Sequence, residues 1–301
     1  MNSTVEQNGT RSLRIATRGS RLALWQAHWV QDTLKEAGVS SELVIIETQG
    51  DRSTVAFSQM QGQGFFTKAV QDAVLANKAD LAVHSMKDLP SAPFPGLQVA
   101  AIPKRADSRD ILLSREPWLN NGEDAIPLKE GAIVGTSAAR RQAQLKAIRP
   151  DLEVRELRGN VPTRIQKLRD GQYDAIVLAL AGISRLELDL SDLHTKTWDP
   201  SVFVPAPAQG ALAIECRSDD PEVIQLLQKC LHNEEAAKMV GIERGLMARF
   251  DGGCQLALGA HAFQNEEGLY QLHAFYKSKK QSVQGQDGEG LIDAIYQQLS
   301  D

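Results

Sequence analysis

Twice along its 301 residues the chain alternates short apolar runs with helix-spaced stretches, and this alternation restricts it to a layered α/β fold. The first succession predicts a strand at Leu13–Thr17, a helix at Leu22–Ala37, a strand at Leu43–Ile46, a helix at Phe66–Asn77 and a strand at Leu81–His84. Leu22, Trp25, Trp29 and Val30 fall on one face of the first helix, and Gly38 stops it. The second begins after the Pro-rich SAPFPG and the polar RADSRD. It predicts strands at Ala132–Gly135, Glu153–Leu157 and Ala175–Ala179, with helices at Ala138–Arg149 and from Pro162 to Arg169. PSVFVPAPAQG reads as a hinge back to the first unit, with Ala211–Glu215 adding a strand there. From Pro221 the pattern changes to two helices, Glu222–Leu231 and Glu234–Phe250. Strands near Ala257–Phe263 and Tyr270–Tyr276 and a last helix near Leu291–Leu299 complete a small α+β unit.

Length favours two or three domains over one core. The formal net charge of -5 argues against a nucleic-acid-binding surface, so any anion site must be a local basic cleft. No apolar run is long enough for a bilayer, and MNSTVEQNGT reads as a frayed lead-in without export features. Cys216, Cys230 and Cys254 suit neither a disulfide framework nor a zinc site, so no metal is expected.

Polar clusters gather where predicted strands end: ATRGS, HSMKD, GTSAARR and LRGN. In open α/β sheets ligands bind beyond the carboxyl ends of strands. Arg18, Arg140, Arg141, Arg158, Arg164 and Arg185 lie at or near such junctions. Guanidinium pairs bidentately with carboxylate or phosphate, and spacing alone does not choose between them. In HSMKDLP, Asp88 is either a turn former or an acid–base group, with His84 and Lys87 beside it. In DGGCQ, two glycines set Cys254 in a tight loop, as an exposed nucleophile or as a small buried residue. GQGFFTKAV, with Gly62 and Gly64, lacks P-loop spacing and reads as a mobile loop ahead of a helix carrying Lys68.

Read together, LRIATRGSRLALWQAH, GFFTK, ADLAVHSMKDLP, IVGTSAARRQAQL, LRGNVPTRIQKL, YDAIVLALAGISRL, AQGALAIECR and GGCQ resemble the porphobilinogen deaminase family, in order from about Leu13 to Gly259. The resemblance implies three domains. Two have mixed sheets flanked by helices and resemble type II periplasmic binding proteins; the third is a small α+β C-terminal domain. Their expected spans are 11–108, completed by 207–226, for the domain with the catalytic aspartate; 109–204 for the arginine-rich domain; and 227–301 for the domain with the attachment cysteine.

By the same resemblance Cys254 carries a dipyrromethane cofactor through a thioether, and Asp88 is the catalytic carboxylate. Lys68, Ser85, Lys87, Asp88, Arg140, Arg141 and Arg158 would bind the cofactor. Arg18, Ser20, Arg158, Arg164, Arg185 and Gln209 would bind substrate. The implied reaction condenses four porphobilinogen molecules head to tail with loss of ammonia, then releases hydroxymethylbilane by hydrolysis. A buried carboxylate would stabilise the cationic methylene-pyrrolenine formed from each monomer. Gln63 stands where the family usually has Lys, and Ala138 where it usually has Ser, so slower elongation or weaker cofactor retention is expected. The protein is expected to be a cytoplasmic monomer, with porphobilinogen as its partner and neither nucleic acid nor membrane. The alternative is a non-catalytic organic-anion binder of the same clam-shell build, for which GGCQ would be unnecessary.

Overall fold

The computed structural model describes residues 12–47, 67–117, 119–250 and 256–300. In the first sheet, β1 (Leu13–Arg18) runs parallel to β2 (Ser41–Ile46) and to β3 (Leu81–Ser85). Helix α1 (Arg21–Glu36) follows β1, and α2 (Lys68–Leu75) precedes β3. β4 (Leu97–Ala101) and β3 flank β10 (Leu212–Arg217), which is antiparallel to both, giving the order β2-β1-β3-β10-β4.

The second sheet repeats this plan. Parallel β6 (Ile133–Gly135), β7 (Glu153–Arg155) and β8 (Ala175–Ala179) alternate with α3 (Ala139–Ile148) and α4 (Val161–Arg169), and α5 (Leu180–Arg185) follows β8. β5 (Asp110–Ser114) is antiparallel to β8 and to β9 (His194–Thr197), giving the order β7-β6-β8-β5-β9. In each sheet the antiparallel strand is the first one reached after the chain crosses from the other sheet. The outgoing crossing is 102–109 and the return is 198–211.

After α6 (Pro221–Leu231) and α7 (Glu234–Arg249) come the antiparallel strands β11 (Gly259–Gln264), β12 (Tyr270–Tyr276) and β13 (Lys279–Gly285), and α8 (Gly288–Ser300). Met239, Ile242 and Leu246 of α7 and Leu291, Ile295 and Leu299 of α8 share a core with Leu272 and Ala274 of β12. Their spacing of three and four residues puts one stripe of each helix on the sheet.

The fold is the mixed α/β architecture expected, with two helix-flanked sheets and a small third one. Strands β4, β5, β9 and β13 add to those read from the sequence. β5 is buried along its whole length, so DILLS shows no alternation. β13, KKQSVQG, is an edge strand whose polar face carries little apolar signal. Helix α6 packs on the first sheet: Val223, Leu227 and Leu231 join Leu13, Ile15 and Leu81 in one core. The expected boundary at 226/227 therefore falls inside this helix.

Helix α1 buries Gln26, Ala27, Val30 and Leu34. Leu22 and Trp25, read from the sequence as part of its core face, are only half-buried. The helix starts at the carboxyl end of β1, so its first turn borders the space between the sheets while later turns cover the sheet. Among the described residues, no helix is long and apolar enough to cross a membrane.

Candidate active site

Two adjoining lobes open beyond the carboxyl ends of β1, β3 and β8. The first, open to solvent, is lined by Arg18, Ser20, Gln26, Thr67, His84, Ser85 and Asp88. The second, also open, is lined by Ser85, Lys87, Arg141, Arg164, Arg185 and Gly210. Leu22 and Ser85 border both, so the lobes are parts of one cleft.

Local structure explains how each side chain arrives there. Arg18 is the last residue of β1, and Ser20 caps α1 by accepting the Ala23 N–H at 3.3 Å. Ser85 ends β3, and its Oγ accepts from Gln26 Nε2 at 2.9 Å. A single 3₁₀ turn over Met86–Asp88 follows. Met86 and Leu89 are buried, and this anchoring turns Lys87 along the wall and leaves Asp88 exposed. The sequence implies a buried catalytic carboxylate; a turn anchored by Met86 and Leu89 leaves Asp88 exposed on the lining of the first lobe instead. Beneath it His84 Nε2 lies 3.3 Å from Glu215 Oε2, and Gln71 Nε2 donates to both Glu215 oxygens at 3.2 and 3.0 Å.

The second lobe is electropositive. Burial lowers the Lys87 pKa to about 8, with Asp88 working in the opposite sense and Arg141 in the same one. Burial also lowers Arg164, which Arg141 further repels, and Arg185, each to about 10. Such shifts mark cations withdrawn from water with insufficient negative charge around them. Arg164 Nε donates to Gly159 O at 2.7 Å, and Arg185 Nη2 to Gly210 O at 2.7 Å, with its guanidinium 5.6 Å from the Trp25 ring centre. These bonds aim the guanidiniums without neutralising them. A ligand bearing several carboxylates fits this donor set, as would the acetate and propionate groups of a dipyrromethane.

Other residues singled out from the sequence lie elsewhere. Arg140 is buried; its Nη1 donates to Asp110 Oδ2 at 2.7 Å and to Val204 O at 2.6 Å. Arg141 also pairs with Asp110, through Nη2 at 2.7 Å and Nε at 3.1 Å, yet still borders the second lobe. Arg158 pairs with Glu156 at 3.0 Å outside both linings. Lys68 is exposed, pairs with Asp72 at 3.4 Å and lines neither lobe. Gln209 is buried at 1% exposure. Cys254, Gln63 and the Gly62–Gly64 segment lie outside the described residues. Asp110 was not singled out in advance. Its signal was an acid heading an apolar run, DILLS, in a chain with two adjacent arginines in need of a counter-charge. No group of three or more His, Cys, Asp or Glu suited to a metal occurs among the described residues.

Fold and cleft together define an α/β protein in which two helix-flanked sheets border a cleft lined by cations beside a carboxylate. A sequence profile described as "Porphobilinogen deaminase, dipyromethane cofactor binding domain" matches residues 13–225. The chain is 41% identical over 298 residues to the porphobilinogen deaminase of Streptococcus sanguinis strain SK36, covering 96% of this chain and 95% of that one. It is 47% identical over 251 residues to the porphobilinogen deaminase of Corynebacterium efficiens, covering 83% and 81%. The chain belongs to the porphobilinogen deaminase family. It is a transferase, a hydroxymethylbilane synthase that condenses porphobilinogen units on a dipyrromethane cofactor.

Solved structures similar to it include an arginine-specific periplasmic binding protein of Salmonella typhimurium, at TM-score 0.42 and 11% identity, covering 73% of this chain and 91% of that one. An ancestral cationic amino acid solute binding protein follows at TM-score 0.43 and 16% identity, covering 79% and 94%. Likenesses of this size say nothing about the ligand.

Proposed function

We propose that the two-lobed cleft is where the family's reaction runs, with Asp88 as its catalytic carboxylate and Cys254 as the thioether attachment point. The observation that carries this reading is the common border of the lobes. The space beside Asp88 opens directly, past Ser85 and Leu22, onto the wall of Lys87, Arg141, Arg164 and Arg185. When bound, the dipyrromethane would supply the free pyrrole carbon to which the first porphobilinogen unit is joined.

The protein's side chains do the rest. Lys87, Arg141, Arg164 and Arg185 hold carboxylates in the second lobe, and Arg18 with Ser20 holds those of the incoming monomer in the first. Fixing the carboxylates orients the reacting carbons. The Asp88 carboxylate faces the positive charge that develops on a porphobilinogen unit as its amino group leaves, and it accepts a proton afterwards. Arg140 contributes through Asp110, whereas Lys68 and Arg158 stand outside both lobes. The reading includes a monomer acting in the cytoplasm without nucleic acid, which size-exclusion chromatography and cell fractionation test.

Intact-mass measurement tests the attachment. Purified protein should exceed its sequence mass by one dipyrromethane, and Cys254→Ser should lack that increment. A bare mass in protein offered porphobilinogen would remove Cys254 from its role. Asp88→Ala should lose nearly all turnover, by about a hundredfold or more, with its circular dichroism unchanged; a near-normal rate would end the assignment of Asp88.

A further inference from the structure

Gln209 sits on the return crossing between the sheets, and its amide is fully engaged. Nε2 donates to Ser108 O at 2.7 Å and to Asp110 Oδ1 at 2.9 Å. Oε1 accepts from Lys87 Nζ at 3.3 Å. Its backbone carbonyl accepts from Arg105 Nε at 2.8 Å. The amide cannot reverse: a flip would set its oxygen against two oxygens and its NH₂ against an ammonium. At 1% exposure no side-chain atom is left for a molecule in the cleft.

We propose that Gln209 is a positioning residue for Lys87, fixing that ammonium on the wall of the second lobe and tying it to the Asp110 network, without itself touching substrate. This rests on the reading of Lys87 as a carboxylate-binding cation. Three links make the connection: Asp110 sets the amide orientation, the amide carbonyl sets the lysine, and the lysine faces the lobe.

Lys87 is sensitive to such an acceptor. Burial takes its pKa to about 8, Asp88 and Asp110 favour its charge, and Arg141 and Arg140 oppose it. Arg164 and Arg185 line the same lobe. A carbonyl accepts a stronger hydrogen bond from the ammonium than from the neutral amine, which raises the protonated fraction near neutral pH.

Competitive acylation of the full-length holoenzyme, mapped to Lys87 by mass spectrometry from neutral to alkaline pH, reads this titration without turnover. Gln209→Met should shift the Lys87 midpoint down by about one pH unit. Gln209→Asn, whose shorter side chain withdraws the carbonyl from Lys87, should shift it down as well, and this variant carries the test if the Met variant does not fold. In both variants the fraction of chains that acquire dipyrromethane when offered porphobilinogen, read by intact mass, should fall on the alkaline side. A midpoint unmoved in a folded variant of either kind overturns the proposal. A Lys87→Met enzyme that acquires and keeps dipyrromethane as the parent does overturns instead the reading of Lys87 on which it rests, while leaving the midpoint shifts to stand or fall separately.

Discussion

The Asp110 carboxylate is shared by two guanidiniums where water does not reach. Its side chain is fully buried, and Arg140 and Arg141 contact it at 2.7 Å each. Burial alone would raise its pKa, but the two arginines hold it well below the usual carboxylate range. Asp110→Asn would leave two buried cations without the carboxylate that they share, a loss of about 3–5 kcal/mol. Urea unfolding should show a lower midpoint at unchanged slope; a midpoint shift under about 1 kcal/mol equivalent would mean that water or another group already compensates the pair.

The Arg140-Arg141 pair was visible in the sequence, and its division of labour was not. The counter-ion lies 30 positions before Arg140 and 31 before Arg141 in the chain, and only the sheet brings them together. Asp88, by contrast, could be read from HSMKDLP because turn and strand end are local.

Helix α3 carries both arginines and is preceded by Ala138, whose extended backbone (φ -81°, ψ 118°) suits an N-cap but whose side chain cannot accept a hydrogen bond. The family motif usually has Ser here, so the substitution is read more directly as a lost cap than as a lost contact to carboxylates. Ala138→Ser should stabilise the protein by about 1 kcal/mol, visible as a higher thermal midpoint with unchanged KM; a changed KM with no thermal gain would return this position to the ligand.

Two other helices at the cleft, α1 and α4, are capped as their sequences suggest. Asn160 Oδ1 accepts the Thr163 N–H at 3.0 Å at the start of α4, with Pro162 in the first turn where its missing N–H is harmless. The parallel strands and the helices other than the six-residue, uncapped α5 were legible because their periodicity and caps are local. Strands β5 and β9 were not, since a strand buried on both faces and a short polar one lack alternation.

At the scale of the molecule, the third sheet and its helices grip the crossings between the other two. Glu243 of α7 accepts from Arg105 Nη1 at 2.7 Å and Nη2 at 2.9 Å on the outgoing crossing. It also accepts the Ala208 N–H at 2.6 Å on the return and the Ala262 N–H at 2.9 Å in β11. Ala208 holds a left-handed backbone (φ 61°), which costs a non-glycine residue stability, and the bond to Glu243 secures it. Two residues on, Gly210 has φ +87°, and a Cβ there would come within 2.5 Å of Ala106 O, so the crossings can lie this close only with glycine.

Burial opposes ionisation of Glu243, yet Arg105 and His261 hold its pKa down to about 2, against 4.5 for the ordinary group. A carboxylate with a depressed folded pKa stabilises the fold fully above the unfolded value and loses that contribution as pH falls through the folded one. On the order of 3 kcal/mol should therefore disappear between pH ~4.5 and ~2. In Glu243→Gln, stability should be lower at neutral pH and the acid slope flatter; an unchanged slope in acid titration followed by denaturant unfolding would refute this.

Sequence by itself determined the alternating elements, the sheet-end arginines and the aspartate-bearing turn, because each depends on neighbours a few residues away. Tertiary structure alone decided that Arg140 turns inward while Arg164 and Arg185 face the cleft, that Asp88 stands exposed, and that Gln209 and Glu243 meet the crossings. Those outcomes depend on burial and on counter-charges brought from distant parts of the chain, and electrostatic energies are set by dielectric surroundings and separation in space.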